Sequence, residues 1–226
     1  MLRESISSRR ERVQRIIESL KSTYPDAHCE LDHGSVLELL VATILSAQCT
    51  DKQVNVVTKD LFRRFRVAAD YADVPLEELT EAVRRIGFFR NKAKHIQACC
   101  RKLVERHGGE VPREMAALTA LDGVGRKTAN VVLGNAFGIN VGVVVDTHVA
   151  RLSTRLGLTT AKTPEKIESD LMRLVPQPDW TMFSHWLIWH GRRRCSARRP
   201  ECAVCEIADL CPRKGVVNKP SDGGKR

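Results

Sequence analysis

The chain of 226 residues carries 37 Lys and Arg against 27 Asp and Glu, a formal net charge of +10 that excludes an acidic activation segment and points to a polyanionic partner. Its 42% apolar content, with only 14 Gly and 9 Pro, is enough for a packed core in one large domain or two small ones and excludes collagenous or low-complexity protein. Apolar runs at 36–47 and 131–145 are interrupted by Glu38 and by Asn135 and Asn140, and both stop short of the roughly 20 residues a spanning helix needs, so no membrane segment is expected.

The first residues mix acids with arginines and lack an apolar run, which predicts neither a signal peptide nor a transit peptide, and hence an intracellular protein. Val13, Ile16, Ile17 and Leu20 recur at helical spacing and predict a helix over 9–23; Leu37, Leu40, Val41, Ile44 and Leu45 predict another over 36–48. Thr50-Asp51-Lys52-Gln53 reads as a capping box that opens a helix over 51–65. Further helices are predicted over 76–85, 91–107, 113–119, 126–137 and 147–156. Thr163-Pro164 supplies an N-cap and a first helical residue for 164–174, and a last helix follows over 179–190, within which His185, Trp186, Trp189 and His190 read as core. With about ten helices and strand content near zero, the fold class is all-α. The run from Val141 to Val145 has no partner run and is expected to be an extended connector, and 216–226 reads as a flexible tail.

Charge and thiols are unevenly distributed along these elements. Residues 82–106 hold eight Lys and Arg and one acid, and residues 192–199 hold five arginines and no acid, two patches suited to a polyanion or, more simply, to solvated helix faces. Of the eight cysteines, Cys195, Cys202, Cys205 and Cys211 crowd one short Arg-rich segment with six, two and five residues between them. Four soft ligands on such a loop imply a metal site. Only Cys202 and Cys205 form the tight pair that structural zinc sites use twice, so the spacing leans to an iron–sulfur cluster, with zinc and free reduced thiols as alternatives. Cys29, Cys49, Cys99 and Cys100 are expected to be small reduced residues in or near helices.

Between two predicted helices lies Leu121-Asp122-Gly123-Val124-Gly125-Arg126-Lys127-Thr128. Gly123 and Gly125 permit a tight turn whose N–H groups face outward at a helix start, where a phosphate is held without any side chain; a plain interhelical turn is the alternative. Ile86 to Lys92 is a second, looser turn of the same kind.

Taken in order, Leu45-Ser46-Ala47-Gln48-Cys49-Thr50-Asp51, the glycine hairpin with Lys127, Val145-Asp146-Thr147-His148 and the four-cysteine loop resemble the endonuclease III family of helix-hairpin-helix DNA glycosylases, over about residues 10–212. The resemblance implies two helical domains flanking a DNA-binding cleft: a helical barrel over 29–140, and a discontinuous domain from 1–28 and 141–215 that holds a [4Fe-4S] cluster on Cys195, Cys202, Cys205 and Cys211. It also implies a bifunctional glycosylase and abasic-site lyase of base excision repair, acting as a monomer on damaged double-stranded DNA in a bacterial cytoplasm, at the nucleoid. An oxidised pyrimidine is flipped out of the stack. Lys127 then attacks C1′ as a neutral amine and forms a Schiff base, and β-elimination cuts the strand 3′ to the lesion. Asp146 assists the amine and stabilises positive charge on the sugar. The helix start and Arg126 favour the neutral amine, whereas an Asp146 close by would oppose this.

By the same resemblance Gln48 fills the gap left by the flipped base, Phe88 wedges beside it, and Asp51 and His148 lie near the pocket. Gly123, Val124, Gly125, Arg126 and Thr128 form the hairpin on the DNA backbone, and Arg198 and Arg199 press on it from the cysteine loop. Each residue also has a plainer reading. Gln48 is then a polar helix end, Phe88 core, Asp51 a charge at a helix N-terminus and His148 a hydrogen-bonded buried histidine. Asp146 serves equally as the N-cap of 147–156, and both of its roles are compatible. A monofunctional mismatch glycosylase and a non-catalytic iron–sulfur DNA-binding module are the competing functions. The first needs no amine, and the second needs neither Lys127 nor Asp146.

Overall fold

The computed structural model describes residues 4–216, so the expected tail lies outside the described residues except for Val216. Eleven α-helices and three short 3-10 turns, with no strand, make up the described residues. They form two compact units, one over His28–Val141 and the other from the chain up to Ala27 together with the chain from Gly142 onward.

The His28–Val141 unit is built around α2 (Val36–Ser46), where Leu39 to Leu45 are buried without a polar face, so the helix is enclosed on all sides. It packs against α3 (Asp51–Arg64), α6 (Phe89–His107) and α8 (Arg126–Phe137). The short helices α4 (Ala68–Asp73) and α5 (Leu76–Ala82) pack on α6, and α7 (Met115–Thr119) packs on α8. Helix α4 has no counterpart among the predicted elements. Six residues are too few to show a period, and it is fixed instead by the fully buried Tyr71, which stacks on Phe65 at 5.0 Å, and by Asp70, which accepts from the Arg66 and Val67 N–H groups.

In the other unit α1 (Ile6–Thr23) presents Val13, Ile16, Ile17 and Leu20 to α11 (Trp180–Arg193), which in turn packs on α9 (Thr147–Arg155). Helix α10 (Pro164–Met172) closes against α9. The connector expected over 141–145 contains no helix or strand: it bends at Val141 and Gly142, buries Val143, Val144 and Val145, and donates the Val144 N–H to Ser184 Oγ at 3.0 Å. Beyond Arg194 the helical elements of the described residues are the 3-10 turns at Cys202–Val204 and Ala208–Leu210.

Several ends differ from the predicted ones. Helix α1 begins at Ile6 because the Ser5 hydroxyl caps the Ser8 N–H at 3.1 Å. Helix α2 stops at Ser46, α5 at Ala82 and α10 at Met172, whereas α6 begins at Phe89 and α11 runs on to Arg193. The capping box is only half formed: Thr50 Oγ1 accepts from the Gln53 N–H at 3.3 Å, but the Gln53 side chain donates to Arg85 O at 3.3 Å instead of capping Thr50. Thr163 occupies the N-cap before Pro164 without a side-chain bond. Among the described residues no helix is long and apolar enough to cross a membrane.

Candidate nucleic-acid interface and metal centre

The glycine hairpin is formed between α7 and α8. Gly123 adopts φ +73°, and a Cβ there would sit 2.8 Å from His95 Cβ on α6, so glycine is required both by conformation and by close approach. Buried Val124 anchors the turn in the core, and the Lys102–Asp122 ion pair at 2.8 Å with Lys102 Nζ on Ala120 O at 3.1 Å holds its entry. Gly125 is the N-cap of α8, with no side-chain cap and no acid in the first turn. The N–H groups of that turn thus meet solvent at the positive end of the helix, beside exposed Arg126 and Lys127 and half-buried Thr128. That is the arrangement an anion binds.

The same unit exposes two further loops. After α2, Ala47 turns extended and Gln48 takes φ +54°; before α6, Phe88 takes φ +58° with 65% of its surface exposed. Phe88 is therefore not a core residue. Left-handed backbone at a non-glycine residue costs about 1–3 kcal/mol and persists only where the surroundings enforce it. The two loops are neighbours, since a Cβ on Gly87 would lie 3.9 Å from Gln48 O. Asp51 is the first residue of α3, half-buried at its N-terminus.

In the second unit Asp146 is the N-cap of α9, its Oδ1 accepting from the Val149 N–H at 2.8 Å. His148 Nδ1 lies 3.1 Å from Arg151 Nη2, and Arg151 also donates to Gly191 O and Cys195 O, both at 3.0 Å. This packing leaves no room for a side chain at Gly191, where a Cβ would fall 2.8 Å from His148 Nδ1. One turn further along α9, Arg155 threads the cysteine loop: it donates to Cys195 Sγ at 3.1 Å, Ser196 O at 2.7 Å and Ala197 O at 2.8 Å. The loop so held presents Arg198 and Arg199 to solvent, while Arg194 is drawn back onto Glu201 and Glu206.

Cys195, Cys202, Cys205 and Cys211 line one pocket, walled otherwise largely by Leu152, Leu156 and Ile207, and none is in a disulfide. Burial pushes the Cys205 thiol up to about 11 and raises Cys211 as well. An apolar four-thiol pocket disfavours bare thiolates, and a bound cation is what reverses that preference. The donor set thus fits an iron–sulfur group. The buried His190 belongs to this wall, with Nε2 3.4 Å from Cys205 Sγ and Nδ1 3.0 Å from Tyr24 Oη, and burial drives its pKa down to about 4. It is core, as its spacing implies, but core that touches the thiols. Glu206 also comes near His190, yet it faces the other ring nitrogen and pairs with Arg194, which makes the trio a hydrogen-bond network, not a second centre.

Arg151, Arg155 and His190 were not singled out by the sequence motifs, and neither was Lys92 on α6, a buried lysine whose Nζ donates to Leu45 O at 2.9 Å and Ala47 O at 2.6 Å. For His190 a signal existed, five residues before Cys195 in the sequence; for the others the loop and carbonyl partners are 40 or more residues away.

Among the described residues the fold is all-helical, with an uncapped glycine hairpin in one unit and a four-thiol loop in the other, the make-up of a helix-hairpin-helix repair protein. The HhH-GPD superfamily base excision DNA repair protein family matches residues 41–177. Endonuclease III of Synechocystis is 55% identical over 211 residues, which cover 93% of this chain and 96% of that one. Two solved structures, a non-covalent endonuclease III–DNA complex and a trapped endonuclease III–DNA covalent intermediate, are each 44% identical with a TM-score of 0.86, covering 94% of this chain and 97% of theirs. The chain belongs to the endonuclease III family.

Proposed function

We propose that this protein is a bifunctional DNA glycosylase and abasic-site lyase of base excision repair that removes oxidised pyrimidines. The observation that carries this reading is exposed Lys127 on the uncapped first turn of α8, directly after the glycine hairpin. A phosphate seated on the hairpin N–H groups would bring the sugar of a flipped nucleotide to that amine. A relative has been trapped in a covalent complex with DNA, the kind of adduct an amine nucleophile gives. Buried Lys92 is no rival nucleophile, because its Nζ is committed to two carbonyl oxygens.

In the reaction so assigned, Lys127 Nζ bonds to C1′ as the C1′–base bond breaks, and the base leaves with the bonding electron pair and a proton. The sugar ring opens to an imine, loss of a C2′ proton drives cleavage of the C3′–oxygen bond, and water releases the lysine. Asp146 would stabilise positive charge on the sugar through the carboxylate that also caps α9, and His148 and Asp51 would border the extruded base. Gln48 and Phe88 would occupy the vacated space in the duplex. Cys195, Cys202, Cys205 and Cys211 would hold a [4Fe-4S] cluster, which supplies four metal–thiolate bonds to a loop with little core of its own. The partner is damaged double-stranded DNA, bound by a monomer in a bacterial cytoplasm at the nucleoid.

Borohydride trapping on a duplex with a single thymine glycol tests the assignment. A covalent protein–DNA adduct is expected, and base release without an adduct would make the enzyme monofunctional. Binding should also weaken steeply with salt, because its contacts fall mainly on phosphates. Replacing Arg198 and Arg199 together by Ala should reduce the slope of log K against log salt by about two, read by fluorescence anisotropy across a salt series. An unchanged slope would remove the loop from the interface.

A further inference from the structure

Lys92 occupies an unusual place for a lysine. It lies on the first turns of α6 with only 5% of its surface exposed, and burial pulls its pKa below the ordinary lysine value. What stabilises the ammonium is the C-terminal end of α2: Leu45 O and Ala47 O each accept from Nζ, at 2.9 and 2.6 Å, where a helix leaves its last carbonyls unpaired and carries partial negative charge.

Both strained residues are tied to this one residue, Gln48 through the lysine's side chain and Phe88 through its backbone. Gln48 follows Ala47 directly, and Phe88 O accepts from the Lys92 backbone N–H at 3.1 Å. Gln53 adds a second tie from α3 to Arg85 O, three residues before Phe88. The end of α2 and the start of α6 are thereby clamped together just behind two exposed side chains on left-handed backbone. An apolar side chain of the same length would fill the space at less desolvation cost, so what the lysine adds there is the pair of bonds from its ammonium to Leu45 O and Ala47 O.

We infer that Lys92 is a positioning residue for base extrusion: its ammonium, bound to Leu45 O and Ala47 O, locks the Gln48 and Phe88 loops into one preorganised wedge. The inference rests on the glycosylase reading and on the wedge role of Gln48 and Phe88 within it. Preorganisation matters here because the wedge must enter the duplex in the moment the base leaves, and ordering two loose loops at that step would add directly to the barrier.

The test separates extrusion from chemistry. Borohydride trapping rates are measured for the parent, Lys92→Met and Gln48→Ala, on duplex DNA with an oxidised pyrimidine and on a single strand with a preformed abasic site, which needs no extrusion. Lys92→Met is expected to slow duplex trapping by about tenfold or more while single-strand trapping stays within about twofold, a split that Gln48→Ala should share. 2-Aminopurine placed beside the lesion should report the same loss as a smaller fluorescence rise on binding. Should Lys92→Met not fold, Lys92→Gln, an uncharged donor on a shorter stem, reads the same split. Parent-like duplex trapping by a folded Lys92 variant, or an equal fall on both substrates, overturns the inference. If Gln48→Ala also lacks the duplex-specific loss, the wedge reading itself fails and Lys92 loses its role with it, whereas a parent that traps neither substrate sinks the glycosylase reading.

Discussion

Lys127→Ala is expected to abolish the trapped adduct and strand cleavage, a loss of about a thousandfold or more, while duplex binding stays within a few fold. The expectation follows from where the residue sits. Lys127 is exposed on the first turn of α8, where a cation opposes the helix dipole and alanine is the better helix former, so the substitution should leave stability unchanged or slightly raise it. The hairpin that seats the phosphate is untouched, because it is built from backbone N–H groups, the left-handed Gly123 and buried Val124. Loss of one cation should lower the salt slope of binding by about one at most. A Lys127→Ala protein that still cleaves at thymine glycol would move the nucleophile elsewhere and leave the α8 start as a phosphate contact only. Retained base release with lost cleavage would instead divide the two activities between different groups.

The hairpin, the thiol loop and most helix cores were legible in the sequence because each is specified locally. Glycine at Gly123, threonine before α3, and apolar residues at helical spacing in α1 and α2 all act within a few positions of themselves. What was not legible depends on partners distant in the chain. The periodicity of α2 runs on to Gln48, but Lys92, 45 residues beyond Ala47, takes the last carbonyls and the helix ends at Ser46. Phe88 stands in an apolar stretch whose composition does not mark its exposure; a left-handed turn at Phe88 itself projects it. Arg151 and Arg155 look like the polar face of α9, and only the fold brings the cysteine loop across them. The charge-rich segments divide in the same way. Within 192–199, Arg194 is tied to Glu201 and Glu206 and Arg193 stacks 3.7 Å over Trp189, whereas Arg192 at the end of α11 and Arg198 and Arg199 on the loop are exposed.

Cys202→Ser should remove the broad visible absorbance at about 400 nm that such clusters show and lower the yield of folded protein several-fold. Beyond Arg194 the described chain buries one apolar residue, Ile207. Its other ties are hydrogen bonds, among them Arg151 to Cys195 O, Arg155 to the carbonyls at 196 and 197, Arg12 to Leu210 O, Ser19 to Glu206 O, and the Arg194–Glu206 pair. Such bonds contribute about 1 kcal/mol each net, and exposed ion pairs less, against about 1–2 kcal/mol of backbone entropy for every residue ordered. The balance is unfavourable unless the four thiols are joined through a common centre. Without it the loop should open locally, with trypsin cleavage after Arg198 and fast amide exchange from Cys195 to Cys211, while the His28–Val141 unit, whose core contains none of these residues, keeps its protection. Duplex affinity should fall with the loop, because two guanidinium groups fixed on the surface become two on a disordered segment. An intact spectrum in Cys202→Ser would take that residue out of the ligand set. A loop that stays protected after the absorbance is gone would show that Arg155 and Ile207 suffice to hold it, and would leave the cluster to be explained by electron transfer instead of architecture.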